Sequence, residues 1–252
     1  MTKLFSEFFG ELGWQLFGHQ AYIRNMSNQY DEVIIASRPG TEYLYEDFCH
    51  KFISYDPNNW ETDGWLLHGW KYPNLHEKYI DIRKDTLILA KRFDHLPQKF
   101  IKFGEYKENL RYDILIHARN TNKVRTGIRN WSENKWVQLI NILKDKNYLI
   151  GSIGTSEGAL YIQGTNDLRD IPLKELCNYI ASSRLIIGPS SGPMHLASLC
   201  GTRHLVWGEA RRAFNNKDRY EKIWNPLKTP VKYLDEYSWD PPVDFIYNNI
   251  AL

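Results

Sequence analysis

Residues 186–201 read I-I-G-P-S-S-G-P-M-H-L-A-S-L-C-G. The run R-L-I-I-G at 184–188 is a short apolar segment bounded by glycine, which predicts a buried strand. Ser190 and Ser191 stand where helix N-cap residues stand, and Pro193 suits a first helical turn because its missing N–H costs nothing there. Gly201 ends the helix P-M-H-L-A-S-L-C. A strand running through a tight turn into a helix leaves backbone N–H groups pointing out of the strand end. The partial positive charge of the helix start joins them, and together they make an anion site. A diphosphate is the natural guest, and the Ser190 and Ser191 hydroxyls, the Gly192 backbone and the His195 ring are its candidate ligands.

Working outward, the same alternation repeats. D-I-L-I-H-A at 113–118 predicts a strand. Ser132 can cap a helix whose Trp136, Leu139, Ile140 and Leu143 recur at i, i+3, i+4 and i+7. Y-L-I-G-S-I-G is the next strand, and L-K-E-L-C-N-Y-I-A carries one apolar helical stripe. H-L-V-W-G is another strand, and Pro241 and Pro242 can start a terminal helix through Ile250. The N-terminal part repeats the pattern more loosely. Residues 4–9 read as a strand, G-E-L-G as a tight turn, and a helix follows to about Met26. D-E-V-I-I-A-S is a strand, T-E-Y-L-Y-E-D-F a short helix and H-K-F-I-S-Y-D a third strand. An irregular loop over 56–80 carries Trp60, Trp65 and Trp70, which could stack on sugars or fill a small core. Alternating strands and helices predict parallel sheets covered on both faces, with ligands bound beyond the carboxyl ends of the strands. The fold class is therefore α/β. The expected division is a domain over 1–108, a second over 109–235, and a helix over 236–252 packing back on the first.

H-A-R at 117–119 ends a strand at the same predicted sheet edge as the anion site, and Lys123, Arg125 and Arg129 follow. Arginine can grip phosphate oxygens in a fork, so Arg119 and Arg129 are candidate diphosphate ligands. Glu209 lies just past a strand end, where a carboxylate could bind ribose hydroxyls. Glu11, in the turn after the first strand, is the candidate proton acceptor, a role that calls for a partly desolvated carboxyl. Asp63 and His68 are the alternatives.

The bulk numbers exclude several classes. A net charge of +2 over 252 residues is far from the basic footprint of a nucleic-acid binder. The apolar runs are too short to span a membrane, and the start of the chain makes a poor signal peptide. Three cysteines fit reduced thiols in a cytosol-like compartment, with Cys177 on the apolar face of its helix. The chain has no D-x-D triad, no C-x-x-C and no G-x-G-x-x-G after the first strand. No metal-bound donor, dinucleotide or other cofactor is expected.

Over 129–208 the pattern R-N-W-S-x-x-x-W, then D-L-R-D-I-P-L-x-E-L, then S-R-L-I-I-G-P-S-S-G-P-M-H-L-A-S-L-C-G-T resembles the heptosyltransferases of glycosyltransferase family 9. The resemblance implies a GT-B fold, two Rossmann-like domains facing each other across a cleft, here with a reduced N-terminal domain. It also implies metal-independent, inverting transfer. Arg129 matches the family's phosphate-binding lysine, and Ser191, Gly192 and His195 match its second motif. Ser190 replaces an aspartate that meets the donor sugar, and Gly10-Glu11 stands for the Gly-Asp whose aspartate is the family's proposed base. H-A-R-N-T-N-K-V is similar to the H-x-R-R-x-D-K-V strand end of GDP-fucose-dependent fucosyltransferases, with Arg119 on its first arginine. Both resemblances imply a cytoplasmic glycosyltransferase moving a sugar from a nucleotide diphosphate sugar to a glycan or glycoconjugate hydroxyl. A sugar-nucleotide epimerase of the same fold and a non-catalytic carbohydrate-binding relative are the rival readings.

Overall fold

The computed structural model describes residues 1–8, 10–55, 75–88, 96–121, 127–209 and 216–250. The chain divides into two units, Met1–Ile101 and Lys102–Leu252.

In the first unit, strand β1 (Lys3–Phe8) leads into helix α1 (Leu12–Trp14), a π-helical segment (Gln15–His19) and helix α2 (Gln20–Met26). The turn is shorter than G-E-L-G predicted, because Gly13 already lies in the helix. Strands β2 (Glu32–Ser37), β3 (Lys51–Ser54) and β4 (Thr86–Ile88) complete a parallel sheet of order β3-β2-β1-β4. T-E-Y-L-Y-E-D-F forms only a 3-10 turn, Glu42–Leu44, rather than the expected short helix. Alternation sorts β1 between two faces. Ser6 and Phe8 meet His19 on the helix side. Phe5 packs with Ile34 and Ala36, against Leu75 and Tyr79, on the other side.

In the second unit, β5 (Ile114–Ile116) is followed by α3 (Glu133–Lys144), β6 (Ile150–Gly154), β7 (Asn166–Arg169), α4 (Leu173–Ser182), β8 (Leu185–Pro189), α5 (Gly192–Cys200), β9 (His204–Trp207), α6 (Lys217–Lys222), β10 (Val231–Leu234) and α7 (Val243–Asn249). The order is β10-β9-β8-β5-β6-β7, and every pairing is parallel. Local signals behave as their chemistry dictates. Ser132 Oγ accepts the Lys135 N–H at the start of α3. Gly201 ends α5 in the left-handed region at φ 75°.

Three tryptophans knit the core. Trp131, Trp136 and Trp207 are fully enclosed, with ring centroids 4.8, 5.3 and 5.6 Å apart. The Trp131 indole N–H donates to the Pro241 carbonyl at 2.8 Å. Ile246 joins this core, and α7 packs beside α3 in the second unit. The unit boundary falls earlier than 108. The Phe103 N–H donates to the Leu199 carbonyl at 3.0 Å, and the Lys107 N–H donates to Ser182 Oγ at 2.8 Å. Gly104, at φ +74°, lies so close to the Cys177 carbonyl that a side chain there would collide with it. These bonds commit 102–108 to the second unit.

Candidate functional site in the second unit

The strand order of the second sheet reverses between β5 and β8. The chain winds outward to β6 and β7 on one side, and to β9 and β10 on the other. The crevice at such a reversal, beyond the carboxyl ends, is where open parallel sheets bind ligands. Here it is flanked by residues 117–119 after β5 and by Ser190 and Ser191 after β8.

Ser190 is 2% exposed, and its Oγ has no hydrogen-bond partner among the described residues. Its backbone N–H is spent on the Trp207 carbonyl at 2.9 Å. Ser191 is the N-cap residue of α5, yet its side chain does not cap. Its Oγ is instead hydrogen-bonded to His117 Nδ1 at 2.8 Å. Among the described residues no side-chain hydrogen bond caps the start of α5, and Pro193 has no N–H to cap.

Arg119 lies two residues beyond His117, the partner of Ser191. Its Nη1 donates to Asn130 Oδ1 at 2.9 Å, which orients the guanidinium from the segment before α3. The Asn130 amide is itself fixed by donating to the Thr121 carbonyl at 3.0 Å. Arg129 ends the 3-10 turn Gly127–Arg129, and its guanidinium lies 5.2 Å over the Trp239 ring. Trp239 Nε1 donates to Glu209 Oε2 at 3.4 Å. Trp239 thus draws Arg129 and Glu209 together, although the three are far apart in sequence. Burial pushes the Tyr233 hydroxyl above its usual range; Asp235 and Glu209 add to this and Arg129 opposes it.

His195 is enclosed more than expected of a phosphate donor. Its ring stacks on Tyr220 at 5.2 Å and meets the Trp224 edge at 4.8 Å. Burial, then the nearby His204 and Arg129, push its pKa down to about 3, so the ring is neutral. Burial and then Arg119 likewise hold His117 down at about 3.

In the first unit, Glu11 is exposed and N-caps α1 through its carbonyl alone, without a side-chain cap. The desolvation expected of a base is found instead at Glu7, which is 0% exposed with both carboxyl oxygens lacking a hydrogen-bond partner among the described residues. Burial raises its pKa to about 7. Asp63, His68, Trp60, Trp65, Trp70, Lys123 and Arg125 lie outside the described residues. Trp131, Trp136, Trp207, Trp224 and Trp239 are buried, so the aromatic excess serves the core at these positions.

Sequence reasoning passed over His117, Asn130 and Trp239 as site residues. The available signal for His117 was a pair of glycines at strand ends, Gly154 and Gly188, which flank it in the sheet. Among the described residues no cluster of His, Cys, Asp and Glu is arranged to hold a metal ion. No helix among them is long and apolar enough to cross a membrane.

No protein-family profile matches the sequence, and no curated protein matches it. Solved structures do match. The E. coli heptosyltransferase WaaC with ADP aligns at a TM-score of 0.62 and 9% identity, over 98% of this chain and 98% of that one. The glycosyl transferase family 9 protein from Veillonella parvula DSM 2008 aligns at 0.57 and 11%, over 93% and 86%. The iron-containing dodecameric glycosyltransferase TibC from enterotoxigenic E. coli H10407 aligns at 0.54 and 13%, over 85% of this chain but only 60% of that longer one. The α/β architecture with two parallel sheets is thus the GT-B fold of glycosyltransferase family 9 structures. At these identities the likeness is one of fold.

Proposed function

We propose that the chain is a glycosyltransferase whose second unit takes a nucleotide diphosphate sugar, the donor class named for a TibC structure solved with ADP-D-beta-D-heptose. The observation that carries this reading is the start of α5 at the strand-order reversal, where Ser191 does not cap its helix and the buried Ser190 hydroxyl has no partner among the described residues. Function is not deduced from fold alone, because one fold hosts many chemistries.

The roles follow from charge. A departing diphosphate gathers negative charge, which the N–H groups of Gly192 and Met194, the Ser190 and Ser191 hydroxyls, and the guanidinium groups of Arg119 and Arg129 can take up. This assignment asks for no metal. Glu209, which accepts from the Trp239 indole, is the residue we assign to the ribose hydroxyls. His195 shapes the wall behind the helix start as a neutral ring. An acceptor hydroxyl must lose a proton as it attacks the anomeric carbon from the face opposite the diphosphate, which gives inversion. Glu11 is the proposed proton acceptor, with Asp63 and His68 as the alternatives.

The test is a transfer assay with EDTA present, using UDP, GDP, ADP and dTDP sugars ranked beforehand by thermal shift. A new glycoside supports the reading. A new epimer, or no product with any bound donor, replaces it with the epimerase or the non-catalytic alternative. Arg129→Ala should weaken nucleoside diphosphate binding by about 1.5–3 kcal/mol, the scale of a charge-assisted hydrogen bond. Unchanged calorimetric affinity in a folded variant would remove Arg129 from the site.

A further inference from the structure

We infer that His117 is a positioning residue for the diphosphate site: its Nδ1–H holds the Ser191 oxygen, so that the serine's own hydroxyl proton points to the ligand. This rests on the reading of the α5 start given above.

The argument begins with room. His117 follows the central strand β5, and each neighbouring strand sets a glycine against it, Gly154 at the ring and Gly188 at the backbone and Cβ. A Cβ on Gly154, at the end of β6, would lie 3.0 Å from His117 Cδ2 and 3.2 Å from Nε2. A Cβ on Gly188, in β8, would lie 3.1 Å from the His117 carbonyl oxygen and 3.3 Å from its Cβ. The backbone is tied as well, with the His117 N–H donating to the Ile187 carbonyl at 2.9 Å. The ring is 5% exposed and delivered to one partner, Ser191 Oγ at 2.8 Å across 74 residues of sequence.

The consequence lies in proton counting. A serine hydroxyl has one proton and two lone pairs. Were His117 Nδ1 the acceptor, the hydroxyl would spend its only proton on the ring and offer a phosphate oxygen nothing but lone pairs. With Nδ1–H as donor, one lone pair is used and the proton is free for an anion. The same bond engages Ser191 Oγ, which caps no N–H of its own helix. One histidine thereby diverts the hydroxyl from capping to ligand binding. Burial keeps the ring neutral, so only one of its two nitrogens carries a proton.

The experiment uses the full chain and inorganic pyrophosphate as the probe, titrated calorimetrically at fixed ionic strength. His117→Leu and Ser191→Ala should each weaken binding by about tenfold, the scale of one charge-assisted hydrogen bond. The double variant should be no weaker than either single one, because both remove the same device. His117→Asn places an amide N–H near the Nδ1 position and should bind within about twofold of wild type. Nitrogen-15 shifts of the imidazole should show the proton on Nδ1 in the wild type; a proton on Nε2 overturns the inference. So does undiminished pyrophosphate binding by His117→Leu, or a double variant weaker by the product of the two singles. If His117→Leu fails to fold, the tautomer and the asparagine rescue still decide. A wild type that binds pyrophosphate while these tests fail loses only the positioning role; a wild type that binds none loses the site and this role together.

Discussion

Glu7 and Glu11 stand four residues apart and meet opposite surroundings. Glu7 ends up inside because β1 alternates, and its side chain shares a face with Phe5. Raised from 4.5 to about 7, its pKa means that the folded state holds the proton more tightly than the unfolded chain. Stability from this residue therefore falls as pH rises from about 4.5, and the loss is complete above about 7. Glu7→Gln should match wild type near pH 4.5 and exceed it by about 2–3 kcal/mol at pH 8. Urea denaturation of both proteins across that range checks it, and parallel stability curves would contradict it. Glu11 is exposed and lacks the desolvation the role of proton acceptor calls for. Glu11→Gln should lower turnover by about a hundred- to ten-thousandfold, the worth of general-base help, with donor affinity nearly intact. Steady-state kinetics measure this; turnover close to wild type would move the proton acceptor to Asp63 or His68.

The elements that carry the site are held by packing at a distance from it. Trp131 lies between the 3-10 turn bearing Arg129 and helix α3, and it touches Trp136 and Trp207. Its indole N–H also ties down Pro241, two residues past the Trp239 that meets Arg129 and Glu209. Trp131→Ala should cost about 3–5 kcal/mol by opening a cavity in this core. Trp131→Phe keeps most of the packing and loses one of two hydrogen bonds to the Pro241 carbonyl, since Lys135 Nζ still donates to it at 3.3 Å, for about 0.5–1.5 kcal/mol. Chemical denaturation should rank them in that order, and an alanine variant as stable as the phenylalanine one would refute the packing argument. In the first unit, the π-helical segment brings Gln15 and His19 to one polar network. His19 joins Ser6 Oγ at 2.7 Å and the Tyr45 hydroxyl at 2.9 Å, while Gln15 Nε2 donates to Ser37 Oγ at 3.0 Å. An extra residue in a helical turn re-aims side chains in this way.

At the scale of the molecule, both units bury neutral histidines. Burial lowers His19, His117 and His195 to about 3, and His204 to about 4. For each, the folded state resists a proton that the unfolded chain accepts below about 6.5, so stability is intact above that pH and declines as pH falls. Each contributes a slope of about 1.4 kcal/mol per pH unit within its window. Glu7 opposes them with one slope of the other sign. Wild-type stability should therefore drop steeply between about pH 6 and pH 4. A melting temperature that stays level or rises over that interval would show that these rings are hydrated or charged in the fold.

Much of this was legible in the chain before any tertiary contact was known. The i, i+3, i+4, i+7 period of α3, the Ser132 cap, the Gly201 stop and the apolar runs of β1, β2, β5, β6, β8 and β9 are local signals, written where they act. The strand-to-helix turn at 190–192, the proposed anion site, was legible for the same reason, since a strand end, a serine pair and Pro193 lie within a few consecutive residues. Edge strand β7, N-D-L-R, was not, because an edge strand gains its pairing from a neighbour and needs no apolar run of its own. Nor were the partnerships of His117 with Ser191 and of Trp239 with Arg129 and Glu209. Each joins residues far apart in sequence, and only the placing of β8 against β5 and of the C-terminal segment against Trp131 makes them neighbours. The contrast between Glu7 and Glu11 has the same origin. Both read as carboxylates near a strand end, and only the packing around β1 determines which of them loses its water.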